Sequence, residues 1–182
     1  KLDLKELLKS EIECIDCEKV KLTQKTSWIL NATVIHLAAH WHVESLAYFL
    51  QTMTELCDIA TSESNYTPLH VAASIEDGMD AINLLIEREA NTEAKDCTGQ
   101  TPLHIAAQCE SIKNVVALLE GNADITALDD SKSSTFHKAK TSKILDILLS
   151  QANAKKLIDL NGMLNEGDCL FTHILKKQPE SI

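Results

Sequence analysis

Apolar positions along the chain recur at helical spacing in short stretches separated by polar turns. Ile112, Val115, Val116 and Leu119 stand at i, i+3, i+4 and i+7, one face of an amphipathic helix. Val43, Leu46 and Leu50 repeat the pattern earlier in the chain, and Ile82, Leu85 and Ile86 repeat it between them. A second kind of stretch precedes each of these. Its clearest copies are Thr67-Pro-Leu-His-Val-Ala-Ala73 and Thr101-Pro-Leu-His-Ile-Ala-Ala107. The Thr reads as a helix N-cap, and Pro follows at the first helical position, where its missing N–H costs nothing. The two Ala residues let a neighbouring helix come close. A polar turn such as Glu76-Asp77-Gly78 then leads into the second helix. The pattern predicts pairs of short helices. One such pair cannot bury its own apolar face, so neighbouring pairs must stack.

The two blocks lie 34 residues apart. One step back falls on Thr33-Val-Ile-His-Leu-Ala-Ala39, and one step forward on Ser134-Thr-Phe-His-Lys-Ala-Lys140. His36, His70, His104 and His137 therefore recur at intervals of 34, 34 and 33. This resembles the ankyrin repeat, whose signature is a TPLHxAA block with a period of about 33. The second and third blocks match it completely, and the first and fourth are degenerate but in register. The resemblance implies a β-turn finger followed by two antiparallel helices, stacked into a curved solenoid that binds other proteins.

The expected fold is all-α, an ankyrin-repeat solenoid of about four recognisable repeats with partial repeats at both ends. The units are about 30–62, 63–96, 97–130 and 131–155, together residues 30–155. Residues 1–29 read as a partial preceding repeat plus an insertion, and 156–182 as a link and an incomplete fifth repeat. An array that begins and ends inside repeats lacks polar caps, so a segment of a longer protein is expected. The fingers Ala90-Asn-Thr-Glu-Ala-Lys-Asp96-Cys-Thr-Gly99 and Ala123-Asp-Ile-Thr-Ala-Leu-Asp129 look like the family's GADVNAxDxxG link. The family places Gly where φ is positive. Gly99 keeps it, Asn65 and Asn122 are tolerant replacements, and Glu89 and Lys132 are expected to strain their turns.

Composition narrows the function. The 182 residues are 45% apolar, with 17 basic and 27 acidic side chains and a formal net charge of -10. That apolar content excludes full disorder, and no apolar run nears the roughly 20 residues that span a bilayer. The negative charge argues against nucleic acid and against an anionic membrane surface. The sequence contains no GxGxxG, GxxxxGK[ST], GxSxG or HExxH, so phosphate loops and these catalytic motifs are absent. Cys14, Cys17, Cys57, Cys97, Cys109 and Cys169 are scattered and read as reduced thiols of an intracellular, cytoplasmic chain. Cys14-Ile-Asp-Cys17 is a lone CxxC without the second ligand pair that zinc needs. The repeat histidines sit about 10 Å apart on packed helices, too far to share a metal. Each is expected to hydrogen-bond the backbone of a neighbouring finger. Neither catalysis nor a cofactor is expected.

The resemblance implies a protein-binding face on the concave side, built from finger tips and first helices. Mapped residue by residue, it comprises Glu63, Ser64 and Tyr66 with Ser74, then Lys95, Cys97, Thr98 and Gln100 with Gln108, then Asp130 and Ser131. Trp41, in His40-Trp-His42, either extends this face or packs on the next unit. Carboxylates at Glu63, Asp96, Asp129 and Asp130 would make the tips acidic, favouring a partner with a basic patch. The expected role is a protein–protein interaction module, a scaffold or adaptor. The alternatives are the cytosolic ankyrin stack of a larger membrane receptor or ion channel of the transient-receptor-potential ankyrin class, and the non-catalytic repeat region of a larger enzyme or host-directed effector.

Overall fold

A computed structural model describes residues 34–52 and 57–154. The readings at 1–29 and 156–182, with Cys14, Cys17, Cys169 and Thr33, lie outside the described residues. Among the described residues eight helices follow one another: α1 (Val34–Trp41), α2 (Val43–Thr52), α3 (Pro68–Ser74), α4 (Met79–Glu87), α5 (Pro102–Gln108), α6 (Ile112–Glu120), α7 (Thr135–Lys138) and α8 (Ser142–Ala154). They form two layers. The inner helices α1, α3, α5 and α7 pack in sequence, as do the outer helices α2, α4, α6 and α8. No strand occurs among the described residues, only an isolated antiparallel bridge between Leu128 and Ser134.

The inner helices start where the caps predict. Thr67, Thr101 and Ser134 are extended N-caps, and Pro68 and Pro102 open their helices. Ala38, Ala39, Ala72, Ala73, Ala106 and Ala107 are all buried, which permits the close approach of the inner layer. Leu69 and Leu103 fill the space beneath, and Phe136 takes the same place in the fourth unit. From the outer layer Leu46, Leu50, Ile82, Leu85, Val115, Leu118, Ile144, Leu145 and Leu148 complete one continuous core. Burying each such side chain contributes roughly 1.5–3 kcal/mol.

Two details fix the turns between layers. Gly78 is required by close approach, because a Cβ there would meet Ala72 O at 1.8 Å. Buried Asn114 of α6 reaches the preceding unit, and its Nδ2 donates to Ile75 O at 2.6 Å, capping the end of α3. The fourth unit is shorter. α7 stops after Lys138, and α8 begins at Ser142 with Thr141 Oγ1 accepting from Ile144 N at 3.4 Å.

One part of the periodic reading is corrected. Val43 and Ile112 continue the apolar stripe in sequence but lie exposed in the structure. Each is the first residue of its outer helix, so it stands at the turn end of the stack and not between repeats.

Candidate protein-binding face

Each finger is closed by a side-chain acceptor near its base. In the second, Asp96 Oδ1 accepts from Thr98 N (2.8 Å), Thr98 Oγ1 (2.8 Å) and Gln100 N (2.9 Å). In the third, Asp129 Oδ1 accepts from Ser133 N at 2.8 Å while Oδ2 pairs with Lys138 Nζ at 2.7 Å. The expectation that Asp96 and Asp129 are solvated acidic tips is therefore corrected: they are 7% and 6% exposed and act as turn acceptors. Burial by itself would raise the Asp129 carboxyl. The Lys138 ammonium and the N–H groups of Ser133 and Ser131 outweigh it and hold that carboxyl below the usual range. Glu63 and Asp130 remain as exposed carboxylates of the tips.

The first finger uses a residue the sequence did not single out. Thr61, buried, accepts from Tyr66 N through Oγ1 at 2.9 Å and bonds Ser64 Oγ at 2.8 Å. The repeat period puts Ser62 opposite Asp96, so the closing residue sits one place early and the turn is one residue longer. A hydroxyl in place of a carboxylate leaves no charge signal to find.

Successive fingers are tied to each other. Cys97 N donates to Ser64 O at 2.9 Å, and Asp130 N donates to Thr98 O at 3.1 Å. Asp58 Oδ1 accepts from Asn91 N and Glu93 Oε1 from Asp124 N, both at 2.8 Å. Lys95 Nζ donates to Leu128 O at 3.0 Å. The three tips are thus hydrogen-bonded into one strip.

Of the face residues expected from the sequence, Glu63, Lys95, Cys97, Thr98, Asp130 and Ser131 are exposed along this strip, as are Ser62, Asn65 and Lys132. Tyr66 is half-buried, stacked on His70 with ring centroids 5.3 Å apart and packed against Val71. Gln100 donates through Nε2 to Thr98 Oγ1 at 2.9 Å. Ser74 and exposed Gln108 end α3 and α5, and the Ser74 hydroxyl turns back onto Val71 O at 2.7 Å. Trp41 is 62% exposed and ends α1, so it stands at the turn end, away from the fingers.

The histidines lock the fingers to the inner helices. Thr67 N donates to His70 Nδ1 at 3.2 Å, which leaves the proton on Nε2 for Gln100 O at 3.0 Å. His104 repeats this, with Thr101 N on Nδ1 at 3.2 Å and Ser133 O near Nε2 at 3.2 Å. His36 Nε2 lies 2.7 Å from Tyr66 O. Burial holds all three rings below their ordinary pKa. Each is a neutral crossbrace between its own repeat and the next finger.

The backbone carries the expected left-handed positions. Gly99, Asn65, Asn122, Glu89 and Lys132 all have positive φ, between 54° and 74°. Glu110 joins them at 64°, in the turn before α6, a position the sequence reading missed. At Gly99 the constraint is also steric, since a Cβ would come within 2.7 Å of Asp130 N.

This arrangement of capped helix pairs, tied fingers and histidine braces has a counterpart in sequence. The family model for ankyrin repeats (3 copies) matches residues 35–129 and 73–159. The chain belongs to the ankyrin-repeat family. No curated protein matches it. Ankyrin repeats are in general protein–protein interaction modules and generally non-catalytic. In this ankyrin array, no three His, Cys, Asp or Glu side chains converge as metal ligands among the described residues. None of the described helices is long and apolar enough to cross a membrane.

Proposed function

We propose that this ankyrin array binds a protein partner through the strip formed by its finger tips and inner helices, as a scaffold or adaptor. The observation that supports this most is the backbone tie between fingers at Ser64–Cys97 and Thr98–Asp130. It presents Glu63, Lys95, Cys97, Thr98, Asp130 and Ser131 on a preformed surface. A preformed surface loses little conformational entropy on binding. With Asp96 and Asp129 used internally, Glu63 and Asp130 supply the attraction to a basic patch, acting chiefly on the association rate.

The test is capture of partners from native cells by the wild-type chain and by a Glu63→Lys, Asp130→Lys variant. The variant should lose the wild-type partner by about tenfold or more, a magnitude typical of interface charge reversal, with an unchanged melting temperature. A control with Glu87→Lys and Glu120→Lys on the outer helices should retain it. Undiminished capture by the finger variant would move the interface elsewhere.

A further inference from the structure

Trp41, Val43, Tyr48, Met79, Ile112 and Leu128 are the large apolar side chains exposed among the described residues. Four of them share one edge of the stack. Val43, Met79 and Ile112 each begin an outer helix, and Trp41 ends α1 just before Val43. They are 37%, 37%, 38% and 62% exposed in that order. Because the outer helices pack side by side, these positions repeat along the turn edge, at the end opposite the fingers. The second and third turns touch directly. Ser111 Oγ donates to Glu76 O at 3.0 Å, and Lys113 Nζ meets Asp77 Oδ1 at 3.0 Å. Single exposed apolar residues are ordinary, but four recurring along one edge offer a partner repeated apolar footholds.

The charge beside this row is acidic. Glu44, Glu76, Asp77, Asp80 and Glu110 are exposed in the first three turns, with Lys113 opposing them through its pair with Asp77. The sign reverses at the fourth turn, where Lys140 and Lys143 are exposed.

We propose that this turn edge docks a basic amphipathic helix of another protein. Packed helices stand about 8–10 Å apart, so the apolar row has roughly that period. Residues seven apart on an α-helix are separated by about 10.5 Å. A helix laid across the turns therefore places one apolar side chain over each of Val43, Met79 and Ile112, with Trp41 covering one end. Its Lys and Arg residues meet Glu76, Asp80 and Glu110, and Lys140 with Lys143 sets its direction. An anionic membrane suits the apolar row but is repelled by these carboxylates. A second copy of the chain brings an edge that is acidic at three of its four turns, and so suits this one less than a basic helix does.

This edge is separate from the finger strip, so its test stands apart from the proposed function. The probe is a fluorescently labelled peptide of about 21 residues, three helical heptads, with leucine at helical spacing and lysine on the flanks. A scrambled peptide of equal composition is the control, and fluorescence anisotropy on the full chain is the readout. The ordered peptide should bind at least about tenfold more tightly than the scrambled one. Met79→Asp with Ile112→Asp should weaken it about tenfold or more without moving the melting temperature. Glu63→Lys with Asp130→Lys should leave it within about twofold, since screening is strong beyond about 10 Å at 0.1 M salt. Equal binding of both peptides, or indifference to Met79→Asp with Ile112→Asp, overturns the proposal. So does a wild-type dimer, seen in sedimentation, that Met79→Asp dissolves, because the edge would then be a self-interface.

Discussion

Leu85→Ala is expected to lower the unfolding free energy by about 2–5 kcal/mol. Leu85 is fully buried in α4, whose outer-layer neighbours are α2 and α6. Truncation leaves a cavity in the core that these repeats share. In a stack of this kind each unit is stabilised by its interfaces, so weakening a central unit should also lower cooperativity. Urea unfolding followed by far-ultraviolet circular dichroism measures both. Glu87→Ala, an exposed position on the same helix, should stay within about 0.5 kcal/mol of the wild type. A loss below about 1 kcal/mol for Leu85→Ala would contradict the stacking register.

The second large effect is on pH. Burial depresses the pKa of His36, His70 and His104 below the ordinary 6.5. Well above pH 6.5 these rings are neutral in folded and unfolded chains alike, and the full stability is present. Below it the unfolded chain takes up protons that the folded chain refuses. Stability is therefore lost as the pH falls from about 6.5 toward the folded values. Each ring contributes a slope of at most about 1.4 kcal/mol per pH unit. Between pH 7.5 and 5.5 the three losses should add, so that stability is clearly lower at the acid end. Protonating Nδ1 would also break the cap bond from Thr67 N or Thr101 N. Urea midpoints at the two pH values measure the loss. Equal stability at both would mean that the rings are not the neutral crossbraces described.

The fold was legible because three local signals agreed. Thr-Pro marked helix starts, paired alanines marked close packing, and the spacing of Leu85 or Leu119 marked the buried stripe. The histidine bonds to finger carbonyls were legible for the same reason: a polar side chain repeated on a buried face needs a repeated partner. The candidate site was less so. Asp96 and Asp129 read as free charges, because a sequence does not show whether a carboxylate faces water or the hydrogen-bond donors of its own repeat. Thr61 escaped because the repeat period placed Ser62 at that position, and a shift of one residue inside a loop leaves the helices in register. Val43 and Ile112 match the apolar period, but burial at a helix end depends on where the neighbouring turn stops. Trp41 shows the same limit from the other side, since only the structure separates a packed Trp from one at an open edge.

The claim that the fingers form the binding strip is tested most directly by a photo-crosslinking amino acid placed at Cys97 and, separately, at Glu120. Cys97 is on the tied tips, and Glu120 ends an outer helix. Irradiation in native cells should yield a heavier adduct containing a second protein from position 97 and none from position 120. An adduct from position 120 with none from position 97 would contradict the account.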